Sequence, residues 1–173
     1  MTATTIQAEN LQLVPQTREE VRAYVDQMPR HERVEVSAAW LRMLDASGPV
    51  DPWIHGFALV HRDRETVVGS AGFTGPPTAD GAVEISYGVN PDHQGNGYAT
   101  EAAQALTAYA FSSGKVRVVR AHTRPDSNAS TGVLVKCGFR RIGEVIDPED
   151  GLVWRWEKHQ EEAAVPAAPA GGA

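Results

Sequence analysis

A cluster of small and polar residues, QGNGYAT at positions 94–100, stands just ahead of an amphipathic helical pattern. Backbone N–H groups at a helix N-terminus, together with the helix dipole, bind phosphate without help from lysine. Glycine lacks a Cβ and lets such a loop bring its backbone close to an anion. We therefore expect that the stretch Gly95, Asn96, Gly97 and Tyr98 can bind an anion.

Three phosphate-binding patterns compete for this loop. A P-loop requires Ser or Thr directly after its Gly-Lys pair, and the Gly-Lys pair at 114–115 is followed by neither. A dinucleotide-binding fingerprint requires a third glycine or an alanine where Thr100 stands. The pattern Gln/Arg-x-x-Gly-x-Gly/Ala is met by Gln94, Gly97 and Ala99. The third pattern is therefore the one that fits.

A second motif, STGVLVKCGF, lies at 130–139 and is preceded by Asn128. This motif and the stretch VEISYGVNPDHQGNGYATEA at 83–102 resemble the GNAT superfamily of acetyl-CoA-dependent N-acetyltransferases. Within that superfamily they are most similar to the RimJ/RimL-like branch, which acetylates ribosomal proteins. The resemblance is strongest over residues 67–155, and it implies acetyl-CoA as cofactor and an amine as acceptor.

The resemblance also implies where the cofactor is held. The amides of the 94–100 loop and the start of the following helix would bind the coenzyme A pyrophosphate. The strand containing Tyr87, Gly88 and Val89 would splay from its neighbour and free backbone N–H groups, such as that of Val89, for the pantetheine arm and thioester. Asn128 and Ser130 complete the implied cofactor site.

Acetyl transfer to an amine needs a base for the ammonium and an acid for the departing thiolate. Glu84, on the polar face of the strand at 82–89, is the expected base, acting directly or through water. The alternative for Glu84 is a solvent-facing or salt-bridged strand residue. Ser130 is the expected acid, and its alternative is a helix N-cap. The sequence leaves both pairs of roles open.

Several other residues have mainly structural explanations. Glu101 falls in the first turn of a helix, where an acid favours the dipole. Cys137 is typical of a small buried hydrophobe, so direct attack in a ternary complex is favoured over an acyl-cysteine route. Trp40, Trp53 and Tyr87 are candidates for an acceptor pocket, although the position of Trp40 on a helix stripe favours a core role. No metal is expected, because metal-ligand spacing is missing from His31, His55, His61, His93, His122 and His159.

The hydrophobic pattern places these motifs on an α+β fold. Strand patterns occur at 11–15, 56–61, 66–73, 82–89, 116–122, 138–146 and 152–157. Helical spacing occurs at 17–28, 33–46, 99–114 and 128–137. The resemblance implies a three-layer, GNAT-like arrangement with a mixed, mostly antiparallel central sheet. We expect about seven strands flanked by about four helices, with the splay between the fourth and fifth strands.

The composition is that of one acidic globular domain, with 173 residues, a net charge of −6 and 42% apolar residues. Residues 1–158 are predicted to form a single domain, and the Ala/Pro/Gly-rich stretch 159–173 a disordered tail. The negative charge argues against nucleic acid or an anionic membrane as partner. The N-terminus lacks a basic-then-apolar signal pattern, so a cytoplasmic location is expected.

The leading hypothesis is an acetyl-CoA-dependent N-acetyltransferase acting on a primary amine, either a protein N-terminus or a small molecule. One alternative is a non-catalytic acyl-CoA-binding or regulatory module on the same fold. Another is a transferase that uses a different acyl-CoA, such as succinyl-CoA. The expected partners are acetyl-CoA and the amine acceptor, and the chain is expected to be a monomer or a homodimer.

Overall fold

The structure is a computed structural model, and it describes residues 4–126, 128–148 and 150–160. Its strands are β1 (Ile6–Gln7), β2 (Leu11–Pro15), β3 (Phe57–His61), β4 (Val67–Phe73), β5 (Ala82–Val89), β6 (Val118–Thr123), β7 (Arg140–Asp147) and β8 (Gly151–His159). Its helices are α1 (Arg18–Gln27), α2 (Arg30–Arg33), α3 (Ala38–Ala46), α4 (Pro52–His55), α5 (Tyr98–Ser112) and α6 (Ala129–Lys136).

The eight strands of the described residues form one sheet in the order β1-β2-β3-β4-β5-β6-β8-β7. Neighbouring strands run antiparallel except β5 and β6, which are parallel. The parallel pair needs a crossover, and α5 supplies it between the two strands. The prediction of a mixed, mostly antiparallel sheet with flanking helices is confirmed.

The parallel pair stays together over only part of its length. β5 pairs with β6 from Ala82 to Glu84, whereas on its other edge it pairs with β4 as far as Val89. Beyond Glu84 the two parallel strands therefore separate. This gap is the predicted splay, and β5 leads from it directly toward the 94–100 loop.

Helix α5 fixes that loop to the sheet. It packs against β5, β4 and β2, and Ala102, Ala103 and Leu106 on its inner face are fully buried. Small alanine side chains let the helix approach the sheet closely, and buried apolar area is the main stabilising term for such packing. The start of α5 is consequently held in a defined position beside the end of β5.

The N-terminal helices differ in detail from the prediction. The helix expected at 33–46 begins only after Ser37, whose hydroxyl accepts a hydrogen bond from Trp40 N (3.3 Å) and caps α3. A separate short helix, α2, follows Pro29. A further short helix, α4, has Pro52 at its first position, where proline is favoured. With β1, these short elements raise the counts in the described residues to eight strands and six helices.

The C-terminal strand continues past residue 158, the expected end of the domain. β8 includes His159, and Gln160 N donates to Arg117 O (2.8 Å). Residues 161–173 of the predicted tail lie outside the described residues. None of the helices in the described part of the chain has the length and apolar character needed to cross a bilayer.

Candidate active site

The loop before α5 owes its shape to two glycines. Gly95 and Gly97 have φ values of 83° and 80°, in the left-handed region that residues with a Cβ rarely adopt. A Cβ built on either glycine would meet nothing within 4 Å. Backbone conformation, not close packing, is therefore what requires glycine here, and the loop faces open space.

Two polar side chains of the loop donate to backbone carbonyls that precede the loop in the chain. Gln94 Nε2 donates to Val89 O (3.0 Å), and Asn96 Nδ2 donates to His93 O (2.9 Å). Gly97 is the N-cap of α5 and provides no side-chain cap. The first helical hydrogen bond runs from Glu101 N to Gly97 O (3.1 Å). The N–H groups that precede it at the helix start are left for a ligand, as an anion site requires.

Three of the predicted loop residues can contribute only or mainly through the backbone. The Tyr98 ring is 8% exposed and packs edge-on against His61, with 5.8 Å between ring centroids. Thr100 O accepts from Cys137 Sγ at 3.6 Å and so ties α5 to α6. Ala99 has no polar side-chain atom. This arrangement does not prevent the backbone N–H groups of Tyr98, Ala99 and Thr100 from binding a phosphate.

Backbone groups of β5 point into the splay. Thr74 N donates to Glu84 O (3.0 Å), so the backbone of Glu84 faces β4. Direction alternates along a strand, and the backbone groups of Tyr87 and Val89 therefore face the gap left by β6. A Cβ built on Gly88 would meet nothing within 4 Å. The end of β5 thus presents N–H groups toward the gap left by β6, and their contact with the pantetheine arm stays a prediction.

Glu84 forms part of a hydrogen-bonded chain that crosses three strands. Its Oε1 contacts His122 Nδ1, and Arg155 Nε donates to His122 Nε2 (3.1 Å). Because an arginine N–H can only donate, Nε2 must accept, and the imidazole proton lies on Nδ1. His122 is thus a neutral donor to Oε1, which leaves Oε2 of Glu84 for another partner. Glu84 is therefore a paired strand residue, as the alternative expected, and this pairing is compatible with its role as a base.

The neighbouring arginine is neutralised. Arg120 Nε donates to Glu157 Oε2 at 2.5 Å. Burial alone would raise the pKa of Glu157, but the hydrogen bond and charge of Arg120, with a further bond from His159, lower it below its usual range. Glu157 is therefore ionised at neutral pH and pairs with Arg120, which lies opposite Glu84 in the β5–β6 register.

Helix α6 begins with a side-chain cap from Asn128. Asn128 Oδ1 accepts from Thr131 N (3.1 Å), and Thr131 Oγ1 accepts from Asn128 N (3.0 Å). Asn128 is therefore the N-cap and Ser130 is not, so the N-cap alternative for Ser130 is wrong. Ser130 is exposed, and its hydroxyl has no hydrogen-bond partner among the described residues. A contact of Asn128 with the cofactor stays a prediction.

A cavity of about 850 Å³ brings several of the predicted residues together. Glu84, Tyr87, Gly88 and Ser130 line it, and so does Trp40. Burial raises the pKa of Tyr87 to about 12, so its hydroxyl stays protonated. Glu84 is also in the wall of a smaller adjoining cavity of about 180 Å³. Both proposed proton-transfer groups therefore border one space at the splay.

Other predicted residues lie away from this cavity. Trp53 packs on Phe73 and Tyr109, with ring centroids 4.7 and 5.4 Å apart, as part of the core. Glu101 accepts from Asn10 N (2.5 Å) and Leu11 N (2.9 Å), which confirms its structural role. Cys137 is 4% exposed, and burial raises the pKa of its thiol. Cys137 is consequently a poor nucleophile.

Sequence reasoning missed the partners of Glu84. His122 and Arg155 lie opposite each other in the β6–β8 register, which no local pattern reveals. The alternation in β6 does place Arg120 and His122 on one face, and this signal indicates a polar face beside Glu84. His55, a buried histidine in the cavity wall, was equally unassigned.

Comparison with known proteins identifies relatives over most of the chain. A family model described as an acetyltransferase (GNAT) domain matches residues 4–140. The uncharacterized N-acetyltransferase YjdG of Bacillus subtilis (strain 168) is 37% identical over 89 residues, which are 51% of this chain and 51% of that protein. The chain therefore spans about half the length of the curated relatives it matches.

Solved structures share the fold at lower identity. RimL, a ribosomal-protein acetyltransferase in complex with coenzyme A, has a TM-score of 0.68 at 16% identity and covers 90% of this chain and 98% of its own. Mycobacterium smegmatis RimJ has a TM-score of 0.68 at 16% identity, with coverages of 93% and 90%. A GNAT-family acetyltransferase from Bacillus anthracis has a TM-score of 0.66 at 21% identity, with coverages of 90% and 98%.

These neighbours confirm the expected fold and its likeness to RimJ and RimL. They are all less than 25% identical to this chain, so they bear on the fold alone. The family model carries the assignment, because it matches well over half of the 173 residues. The chain belongs to the GNAT acetyltransferase family.

Proposed function

We propose that the protein transfers an acetyl group from acetyl-CoA to a primary amine by direct attack in a ternary complex. The observation that carries the proposal is the shared cavity, in which a candidate base, Glu84, and a candidate acid, Ser130, border the β5–β6 splay. Family membership supports the same chemistry. The structural neighbour RimL is described in complex with coenzyme A.

The residues around the splay suit coenzyme A. The uncapped start of α5 and the two left-handed glycines would hold the pyrophosphate through backbone N–H groups. The N–H of Val89, whose carbonyl is already bonded to Gln94, would bind the thioester carbonyl. Acetyl-CoA, when bound, supplies an activated acyl carbon. A donor aimed at that carbonyl oxygen favours the charge that develops there.

Glu84 would accept a proton from the acceptor ammonium at Oε2. The donation from His122 Nδ1 to Oε1 fixes the carboxylate, and Arg155 fixes the imidazole in the required tautomer. His122 and Arg155 are thus positioning residues. Ser130, exposed to the cavity from the first turn of α6, would donate its hydroxyl proton to the departing thiolate.

The test is a pair of measurements on the full chain. Calorimetry should show acetyl-CoA binding, and a thiol-release assay with an accepted amine should show turnover. Glu84→Gln should lower kcat by about a hundredfold or more, the usual size of a general-base contribution. The loss should shrink at higher pH, where the amine loses its proton unaided. Ser130→Ala should lower kcat by a similar factor of about a hundred.

A matched control is Glu19→Gln, since Glu19 is an exposed acid in the first turn of α1. It should leave kcat and acetyl-CoA binding unchanged. Absence of acetyl-CoA binding would refute the proposal outright. Binding without turnover on any amine would instead favour a non-catalytic acyl-CoA-binding module. Faster turnover with succinyl-CoA than with acetyl-CoA would indicate that succinyl-CoA is the acyl donor.

A further inference from the structure

We propose that the acceptor is a small apolar amine: a primary ammonium on an aromatic or aliphatic body that carries no carboxylate or phosphate. The inference rests on the proposed acetyltransferase function and concerns the amine side of the same cavity. It is drawn from the charges and the apolar surfaces that the described residues place around that space.

The charged side chains lining the cavity are all acidic. They are Glu84, Asp147 and Asp150. Within the described part of the chain, the cavity wall contains neither lysine nor arginine. An anionic group entering this space would meet the like charge of Glu84 and would lose its water without gaining a cationic partner among the described wall residues. A cation would meet opposite charge on Glu84.

Both histidines in the wall already have hydrogen-bond partners on their two ring nitrogens. Asp51 N donates to His55 Nδ1 (2.8 Å), so the proton of His55 lies on Nε2, which faces Ser47 Oγ at 2.8 Å. Burial lowers the pKa of His55, against an opposing effect of Asp51. His122 likewise accepts a hydrogen bond at Nε2 from Arg155. Neither ring can serve as a cation for an anionic acceptor without losing a bond.

The nearest arginines are engaged elsewhere. Arg120 and Arg155 line only the smaller cavity on the far side of the Glu84–His122 pair. Arg120 is paired with Glu157, and Arg155 Nε is directed at His122. Arg18 donates to Ser47 O at 2.6 Å and is not part of the wall. A carboxylate on the acceptor therefore finds no free guanidinium within the main cavity.

Beside polar residues such as Ser70 and Thr74, the wall offers apolar surface for the body of the amine. It includes Trp40, Met43, Ile54 and Phe73. Trp40 Nε1 donates to Ile54 O (3.3 Å), so the polar edge of the indole already has its partner. The cavity volume of about 850 Å³ lies within the range for small-molecule sites. An aromatic or aliphatic amine fits a cavity wall that carries both acidic residues and this apolar surface.

Three ligands separate the effect of charge from that of size. These are 2-phenylethylamine, phenylalaninamide and phenylalanine, which share a ring and an amine, and of which only the last carries a carboxylate. Their binding would be measured by calorimetry on the full chain, with and without coenzyme A. We expect both uncarboxylated amines to bind and phenylalanine to bind about tenfold more weakly or worse. Equal or tighter binding of phenylalanine, or no binding of either amine, overturns the inference.

A substitution inside the wall sharpens the test. The Met43 thioether lies against Gly75, since a Cβ built there would be 3.4 Å from Met43 Cε. Met43→Lys places a cation in the cavity and should reduce the preference against phenylalanine by about tenfold. Met43→Leu, of similar volume, should leave the preference intact. An unchanged preference in a folded Met43→Lys protein contradicts the inference, and the wild-type comparison decides alone if that variant fails to fold.

These outcomes differ from those that test the proposed function. Binding of the amines is read at equilibrium and needs no turnover. A protein that binds acetyl-CoA and acetylates only carboxylate-bearing amines keeps the proposed function and loses this inference. A protein that selects the uncarboxylated amines but binds no acetyl-CoA keeps the amine selectivity and loses the transferase.

Discussion

Two helices begin at the same edge of the sheet and treat their first N–H groups in opposite ways. α5 follows β5 and α6 follows β6, the two parallel strands that splay. The N-cap of α5 is Gly97, which has no side chain to offer. The N-cap of α6 is Asn128, which forms a reciprocal capping box with Thr131. Equivalent positions in the fold therefore carry different chemistry.

The difference shows that the first N–H groups of a helix can serve either ligand binding or the stability of the helix. A side-chain cap satisfies one or two of the four N–H groups that each helix start leaves without a partner. α6 satisfies the N–H group of Thr131 in this way and gains stability. α5 forgoes that gain, keeps its N–H groups available, and uses two left-handed glycines to clear the approach. We infer that α5 is the anion-binding helix and that α6 mainly supports Ser130.

The largest expected effect is that of Gly97→Val on acetyl-CoA affinity. Valine at a φ of 80° is strained by about 1–2 kcal/mol, and the loop relieves that strain by rotating its N–H groups away from the ligand. The dissociation constant, measured by calorimetry, should rise about fivefold to thirtyfold, equivalent to that strain of about 1–2 kcal/mol.

A matched control exists at the other end of the same helix. Gly114 follows α5, has a φ of 76°, and leaves a Cβ with nothing within 4 Å. Gly114→Val should therefore lower the free energy of unfolding while leaving the acetyl-CoA dissociation constant unchanged. If the two variants weaken binding equally, general destabilisation explains the result and the contrast between the two helix starts fails.

The contrast between the two helix starts also shows which features could be predicted from the sequence. Local patterns were enough to predict the loop at 94–100 and the alternation that puts Glu84 on the polar face of β5. They could not predict that Glu84 would meet His122, because this contact depends on the register of two parallel strands joined through a long crossover. The split at Ser37 was missed because a single N-cap outweighed the helical spacing of 33–46.

The next effect is a loss of stability in Asn128→Ala. Removing an N-cap of this kind costs about 1 kcal/mol of unfolding free energy, which urea denaturation would measure. The acetyl-CoA dissociation constant should change by less than about threefold, or 0.65 kcal/mol. Asn128→Ser retains a capping oxygen and should recover most of the stability. A large loss of affinity with unchanged stability would instead support the predicted cofactor contact and erase the distinction between α5 and α6.

The smallest effect concerns a third helix start, which is structural like that of α6 but sensitive to pH. Asp51 Oδ1 caps α4 by accepting from Trp53 N (3.0 Å), and Asp51 N donates to His55 Nδ1. Burial lowers the pKa of His55, so the unfolded chain binds its proton more readily than the folded one. The contribution of neutral His55 to the free energy of unfolding is therefore lost as pH falls below about 6.5. The slope is at most about 1.4 kcal/mol per pH unit.

Urea unfolding at about pH 7.5, 6.5 and 6.0 would measure this slope, which amounts to at most about 0.7 kcal/mol over the last half unit. His55→Gln should abolish the slope because the buried imidazole, which takes up a proton on unfolding, is then missing from the α4 cap. His31→Gln is the matched control, since His31 is 81% exposed at its side chain and should leave the slope as it is. If the slope persists in His55→Gln, other groups cause the pH sensitivity. The cap of α4 is then purely structural, like that of α6.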